Sequence, residues 1–448
     1  MKPVAQNLAS KIQSKTSVVG VIGLGYVGLP LADALHTGGL RVIGFDIDPS
    51  KITDLDNGVN YLKHLGSEMT QRLSSSKRFE ATTSFDRLDE PDVIIVCVPT
   101  PVGKHLEPNL DYVIDTAVAI GKKLREGQLV VLESTTYPGT TATEFLPAIL
   151  ESARSHDRGA FAVGDNLFVA FSPERENPGS TSHTTTTIPK LVGGLDPVST
   201  ELACSLYAHG VKEVVPVPSA EIAESAKILE NVFRAVNVAL VNELKAVFDT
   251  MGIDIWEVIQ AASTKPFGFM PFYPGPGLGG HCIPIDPYYL SWKAREHGCA
   301  TRFIELAGEI NRAMPQYVIE KTTQALNGEC KSVKGSNVFV VGLAYKPNVD
   351  DVRESPAAEI IDLLIKQGAE VSYHDPHVDR FHNMRNYAID MHSVALNPKT
   401  LEAADCVIIV TDHERIDWAM IGEHAKLIVD TRNAMDGLQG VKARIVKS

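Results

Sequence analysis

A chain of 448 residues exceeds what one ordinary hydrophobic core serves, so two or three domains are expected. No apolar run reaches the length of a membrane span, and residues 1–16 lack the apolar middle of a secretory signal, reading as a short extension before the first strand. A formal net charge of −13 argues against a general nucleic-acid binder; the six cysteines, at 97, 204, 282, 299, 330 and 406, show neither CxxC nor zinc spacing and read as reduced thiols in a cytoplasm, with no metal site.

The first apolar run, SVVGVI at 17–22, has the character of a buried parallel strand. It leads into Gly23-Leu24-Gly25-Tyr26-Val27-Gly28, a helical stretch over about 29–37, and a second strand, RVIGF at 41–45, ending at Asp46. That is GxGxxG in its working context. The first two glycines allow a tight turn and close approach of a pyrophosphate, the third allows the helix to pack on the strand, and the helix N-terminus offers free N–H groups. Asp46 accepts a ribose 2′-OH and repels a 2′-phosphate, which points to NAD. Further strands are expected at 93–98, ending in Pro99-Thr100-Pro101, and at 129–132, ending in Glu133-Ser134-Thr135. Thr100, Glu133 and Thr135 thus stand at carboxyl ends of strands, where open α/β sheets place ligands, although Thr and Ser there also cap helices. Cys97 lies in an apolar run and reads as core. A strand at 167–171 precedes Ser172-Pro173-Glu174-Arg175-Glu176-Asn177-Pro178-Gly179, a charged loop that suggests substrate contact once the other pieces are joined to it.

Ser219 is a fitting N-cap for a long apolar helix that ends near Gly252. Its polar exceptions, Lys227, Asn231 and Arg234, fall at i, i+4 and i+7 on one face. Such a face either pairs with acids at a domain interface or lines an active site. About 50 residues later comes FYPGPGLGGHCIPIDPY at 272–288, a shaped loop of glycines and prolines around Cys282. A thiol so held is a candidate nucleophile or a structural cysteine in a tight turn. Asp286 and Pro287 have the order of an N-cap and first helical residue. The helix dipole and a nearby ammonium such as Lys227 would favour the thiolate.

From Ser336 the α/β pattern restarts: NVFVV at 337–341, then Gly342-Leu343-Ala344-Tyr345-Lys346-Pro347, with further strands at 370–373, 406–410 and 426–429. The glycine fingerprint is only partial, so a second dinucleotide is not expected. Lys346 and Arg353 are cations near the carboxyl end of its first strand.

GLGYVGLP at 23–30, CVPTP at 97–101, ESTTYPG at 133–139, SPERENPG at 172–179, AKILENVFRAVNVALVNE at 226–243, GPGLGGHCIPID at 275–286 and GLAYKPNVDDVRESP at 342–356 together resemble the UDP-glucose/GDP-mannose dehydrogenase family of UDP-sugar 6-dehydrogenases. The resemblance covers the chain from about residue 17. It implies an α/β fold of two Rossmann-like doubly wound domains joined by a long central helix and a helical dimerisation region. The implied division is an extension at 1–16, an NAD-binding domain at 17–216, a central helical domain with the thiol loop at 217–330, and a UDP-sugar-binding domain at 331–448. It further implies NAD as cofactor, a UDP-N-acetylhexosamine as substrate, no nucleic-acid or membrane partner, and a homodimer or higher homo-oligomer. The activity implied is oxidation of a sugar C6 alcohol to a carboxylate through a thiohemiacetal and a thioester on Cys282, with Lys227 and Asn231 stabilising the oxyanion, Asp286 orienting a water, Glu174 as base for hydrolysis and Thr135 holding the water. The group that takes the first alcohol proton stays open. Gly23, Gly25, Tyr26, Val27, Gly28, Asp46, Pro99, Thr100, Thr135 and Arg353 are implied at the cofactor. Glu174, Arg175, Glu176, Lys227, Asn231, Arg234, Phe272, Gly275, Gly279 and Lys346 are implied at the substrate.

The loop SPERENPG and the absence of a lysine before Asp286 resemble the N-acetylhexosamine branch, and most of all UDP-N-acetylglucosamine 6-dehydrogenases. UDP-N-acetylmannosamine, UDP-N-acetylgalactosamine and UDP-glucose stay open as substrates. A two-electron dehydrogenase of the 6-phosphogluconate or 3-hydroxyacid type would need no thiol. A sugar-nucleotide sensor that keeps the fold without the chemistry is the alternative of another class.

Overall fold

The structure is a computed structural model that describes residues 2–62, 66–103, 107–175, 184–280, 282–382, 387 and 389–448. It divides into two compact units, one of residues 1–230 and 288–299, the other of 231–287 and 300–448.

The first unit is built on strands β1 (Val18–Ile22), β2 (Arg41–Phe45), β3 (Phe79–Thr82), β4 (Val93–Val96), β5 (Gln128–Leu132), β6 (Leu167–Phe171), β7 (Lys190–Gly194) and β8 (Val214–Pro216). Their order in the sheet is β3-β2-β1-β4-β5-β6-β7-β8, parallel throughout except where β7 runs against β6. Strands β4, β5 and β6 are buried along their whole length, which is why they read as unbroken apolar runs. Strand β4 stops at Val96, two residues earlier than expected. The Cys97 amide still bonds the Ile22 carbonyl at 2.8 Å, but Pro99 has no N–H to carry the ladder further. Cys97 is half-buried and packs on the core from just beyond the strand. The stretch read as an extension contains a helix, Pro3–Gln13, whose Ala5, Leu8 and Ile12 are buried against Leu202, Ala203 and Leu206. Burial of side chains like Leu8 and Ile12 stabilises by about 1.5–3 kcal/mol each.

The long helix Ala220–Thr250 begins where expected, with Ser219 Oγ accepting the Ile222 amide at 3.4 Å, and Gly252 beyond its end has φ +70°. Residues up to Glu230 belong to the first unit and those from Asn231 to the second.

The second unit carries β9 (Asn337–Val341), β10 (Glu370–His374), a small antiparallel pair of β11 (Arg380–Phe381) and β12 (Met391–His392), then β13 (Cys406–Ile409), β14 (Leu427–Asp430) and β15 (Arg444–Lys447). The main sheet is parallel in the order β10-β9-β13-β14-β15. In both sheets the order reverses beside the first strand, between β1 and β4 in one and between β9 and β13 in the other. Those are the switch points where α/β sheets take their ligands. Among the described residues no helix is long and apolar enough to cross a membrane.

Candidate functional site

In the first unit the turn after β1 is shaped for a phosphate. Gly23 has φ +92°, and a Cβ at Gly28 would lie 1.9 Å from the Gly23 carbonyl oxygen, so helix Gly28–Thr37 packs close only because that carbon is missing. A Cβ at Gly25 would meet nothing within 4 Å, leaving open space over the turn, and Tyr26 and Val27 follow it, half-buried, before the helix. Asp46 closes the end of β2, nearly buried. Its Oδ2 accepts the Leu24 amide and the Lys51 ammonium, each at 2.9 Å, and its Oδ1 accepts the Asp48 amide at 3.0 Å. Lys51 is absent from the sequence reading, although its place one turn into the helix Pro49–Asp56 sets it within reach of the acid. These features fit a dinucleotide: an open glycine turn for its pyrophosphate and a carboxylate at the ribose position.

Beyond β4 and β5 lie the other expected cofactor groups. Thr100 is buried and its carbonyl accepts the Tyr289 hydroxyl, Pro99 is exposed, and Thr135 is half-buried. Glu133, expected near a ligand, instead turns into the interior. Its Oε2 takes Lys190 Nζ at 2.8 Å and its Oε1 takes the Tyr207 hydroxyl. Burial pushes the Glu133 carboxyl up, with Lys190 opposing. For Lys190 burial works against the charge, but the nearby charges, Glu133 first and Glu174 after it, together hold the ammonium's pKa above its ordinary value.

After β6, Glu174 and Arg175 are half-buried. Lys227, buried on the long helix, donates to the Glu174 carbonyl. Arg175 pairs with Glu230 at 2.7 Å and donates to the Pro189 carbonyl at 2.9 Å. Glu176 lies outside the described residues. One turn before Lys227, Glu224 is fully buried and takes the Gly139 amide at 2.5 Å, the Thr141 amide at 2.9 Å and the Thr141 hydroxyl at 2.6 Å. It ties the connection that follows Thr135 to the helix that carries Lys227, and burial pushes its carboxyl up to about 7.

In the second unit the thiol loop is held from several sides. Gly275 is buried, and its amide donates to Asn242 Oδ1 at 2.9 Å. Asn242 in turn donates to Asn311 at 2.9 Å, and Asn311 to the Ala235 carbonyl at 3.0 Å. Phe272 packs edge-on against Phe233 with ring centroids 5.5 Å apart. A Cβ at Gly279 would sit 2.6 Å from the Tyr345 Cβ, so the loop lies flat on Tyr345. Gly280 donates its amide to the Arg353 carbonyl at 2.9 Å. Cys282 is exposed, and its carbonyl accepts the Asp286 amide at 2.8 Å. That bond places Asp286 inside the first turn of helix Asp286–Glu296 and not at its cap. Its carboxylate, fully buried, accepts Asn231 Nδ2 from the long helix at 2.6 Å.

Lys346 is half-buried. Burial and the charge of Arg234 lower its pKa, with Asp351 and Cys282 opposing. Arg234 is exposed, and Arg353 is exposed with its guanidinium bidentate on Asp351. Arg432 lies two residues beyond β14. A Cβ at Gly275 would lie 2.7 Å from its Nη1. No single-residue signal in the sequence marks Glu224, Lys190 or Asn242, because their partners lie 33 to 85 residues away in the chain. Among the described residues no cluster of His, Cys, Asp and Glu could hold a metal ion.

Comparison with known proteins agrees with this layout. Three domains of the UDP-glucose/GDP-mannose dehydrogenase family match the chain: the NAD binding domain over residues 17–211, the central domain over 221–313 and the UDP binding domain over 339–437. The chain is similar to the UDP-N-acetyl-D-glucosamine 6-dehydrogenase of Pseudomonas aeruginosa, 36% identical over 377 residues, 83% of this chain and 85% of that protein. It is similar also to the UDP-N-acetyl-D-mannosamine dehydrogenase of Methanococcus maripaludis, 31% identical over 429 residues, 93% of this chain and 92% of that protein. Among solved structures it resembles the UDP-D-ManNAc dehydrogenase of Pyrococcus horikoshii with a TM-score of 0.83 and 30% identity, covering 96% of this chain and 99% of that one.

Proposed function

Because the chain belongs to the UDP-glucose/GDP-mannose dehydrogenase family, we propose that it is an NAD-dependent UDP-N-acetylhexosamine 6-dehydrogenase whose substrate is UDP-N-acetylglucosamine. One alcohol, two NAD and one water give one carboxylate, two NADH and three protons. The observation that carries the reading is the exposed Cys282 thiol, set one helical turn before a buried Asp286 that is bonded to Asn231. An aldehyde offers no good hydride until a nucleophile adds, and a thiol so presented is that nucleophile.

NAD, when bound along Gly23, Gly25, Gly28 and Asp46, supplies the acceptor for each hydride. Cys282 adds as thiolate to the C6 aldehyde, and the thiohemiacetal is oxidised to a thioester. Lys227 and Asn231 donate to the oxyanion, their ammonium and amide N–H groups being the donors of this helix face. In hydrolysis a water held by Thr135 and Asp286 adds to the thioester carbonyl, the C–S bond breaks, the thiolate returns to Cys282 and a proton passes to Glu174. The diphosphate is assigned to the glycine-rich run from Gly275 to Gly279 and to Lys346, whose half-buried ammonium suits a phosphate. Residues 17–216 are assigned to NAD, 217–330 to the thiol loop and assembly, and 331–448 to the UDP-sugar, with the cytoplasm as the place of action.

The long helix also supports a homodimer. Ile222, Leu229, Phe233, Leu240 and Val247 recur at steps of seven and four, the spacing of one helical seam, and all five are exposed, Leu229 at 67%. The preference for UDP-N-acetylglucosamine rests on the SPERENPG loop and on the 36% identity to an enzyme so named. The test is a panel of UDP-N-acetylglucosamine, UDP-N-acetylmannosamine, UDP-N-acetylgalactosamine and UDP-glucose with NADH counted. Two NADH per sugar and the highest kcat/KM on UDP-N-acetylglucosamine are expected. One NADH per sugar refutes the thioester route, and preference for another sugar refutes the substrate assignment alone.

A further inference from the structure

We infer that the buried Lys190–Glu133–Tyr207 cluster is a positioning device that sets Glu174, and with it Lys227, for hydrolysis of the thioester; this rests on the role proposed for Glu174 above. The cluster joins four pieces of the first unit. Glu133 follows β5, Lys190 opens β7, Tyr207 ends the helix Pro197–Tyr207, and Lys190 Nζ also reaches the Pro173 carbonyl, two residues beyond β6, at 3.4 Å. All three side chains are at least nine-tenths buried, and the ammonium lies 5.2 Å from the Tyr207 ring centroid.

An ion pair this deep is a poor source of stability, because apolar residues of like volume generally serve as well or better. What it does supply is direction. The backbone from Pro173 to Arg175 is held by cations at each step: Lys190 on the Pro173 carbonyl, Lys227 on the Glu174 carbonyl, and Arg175 itself reaching across to the Pro189 carbonyl, next to Lys190. The residues that follow β6 and those that lead into β7 are therefore tied to one another. Glu174 keeps a half-buried, accessible side chain on a main chain that has little freedom. Lys227 shares that fixed carbonyl, so a shift of Glu174 moves two groups the reaction needs. A misplacement of about 1 Å in such groups costs up to about 100-fold in rate.

The test uses the full chain. A triple variant, Glu133→Met with Lys190→Met and Tyr207→Phe, removes the cluster without leaving a buried charge or phenol unpaired. Mixed with UDP-N-acetylglucosamine and NAD, it is expected to keep a cooperative melt and near-wild-type KM values. Its steady-state NADH production should fall about 10–100-fold while an acyl group accumulates on Cys282, seen by intact mass. Lys190→Arg, which retains the pair, should restore turnover. Wild-type turnover in the triple variant, or slowed turnover without the acyl-enzyme, overturns the inference. If the triple variant does not fold, Tyr207→Phe decides: slower loss of the acyl-enzyme supports the inference, and an unchanged rate overturns it. Glu174→Gln runs beside them. Accumulation there but not in a folded triple variant overturns the positioning role alone, whereas no accumulation in Glu174→Gln overturns the reading of Glu174 on which the inference rests.

Discussion

The contribution of Glu224 to stability should fall as pH rises through neutrality. The carboxyl has no exposed surface, and burial raises its pKa from an ordinary 4.5 to about 7, against three hydrogen bonds from residues 139 and 141 that favour the charge. A group whose folded pKa is raised holds its proton more tightly in the native state. Its contribution is complete below about pH 4.5 and is lost as pH climbs to about 7. At ~1.4 kcal/mol per pH unit the full loss is about 3.5 kcal/mol, and between pH 5 and pH 8 it is about 2.5 kcal/mol. Glu224→Gln removes the titration. The amide also loses one acceptor oxygen, a fixed cost, so the slope carries the information. Urea unfolding at pH 5, 6, 7 and 8 can be followed by Trp292, which packs 5.3 Å from Tyr137 beside the clamped connection, in proteins that carry Trp256→Phe and Trp418→Phe. Wild type should lose about 2.5 kcal/mol relative to the variant across that range. A constant difference at all four pH values would refute the reasoning.

Three further outcomes are expected. Cys282→Ala should abolish uronate formation by more than about 1,000-fold with UDP-sugar binding intact by calorimetry, and full carboxylate production would rule out the covalent route. Lys346→Met should raise KM for the UDP-sugar about 10–100-fold with KM for NAD unchanged; because burial and Arg234 lower the lysine's pKa, wild-type KM should begin to rise at a lower pH than the 10.5 of an ordinary lysine. Leu229→Glu, at the most exposed residue of the seam, should convert the assembly to a 48.6 kDa monomer by light scattering, and an unchanged mass would place the dimer contact elsewhere.

Much of the layout is legible because buried parallel strands announce themselves. RVIGF, LFVAF and NVFVV are strands over the residues read from the sequence, each carried by a short run of buried residues, with an exposed Arg41 or Asn337 opening two of them. The glycine turn and its acid are equally local, lying within 24 residues. The glycine and proline content of the thiol loop shows that it is shaped. Its anchors are another matter. Asn242 and Asn311 stand on two helices, and nothing in either helix says that they bond each other and then Gly275. Lys190 stands at the start of a strand, where a charge usually faces water, and Glu224 sits in an Ala-rich helix as one acid among several. Long-range pairing decides these cases, and periodicity carries no information about it. The reversal of β7 against β6 belongs to the same class, since a strand's direction depends on the path of the connection before it.

The two sheets show how one topology serves different ligands. Asp46 ends β2, and Asp375 stands at the same place after β10; each accepts the amide of the residue that follows the first glycine of its turn, Leu24 in one and Leu343 in the other. Asp46 otherwise holds Lys51, a flexible side chain that a ribose hydroxyl can displace or join. Asp375 additionally takes the amides of Ala344, His377 and Val378 and the ring of His413 at 2.9 Å, with both the acid and the imidazole buried. A ribose would have to break several of those bonds at once, at a buried acid. The turns differ in the same sense. Gly23 and Gly342 both have φ near +90°, but where Gly25 leaves open space, the second turn has Ala344, fully buried, and where Gly28 admits a helix it has Pro347. The second sheet thus keeps the switch point and gives up the dinucleotide's two contacts. What it presents there, Lys346 beside Tyr345 and Arg432 beside Gly275, is a set of cations and an aromatic ring suited to a nucleoside diphosphate.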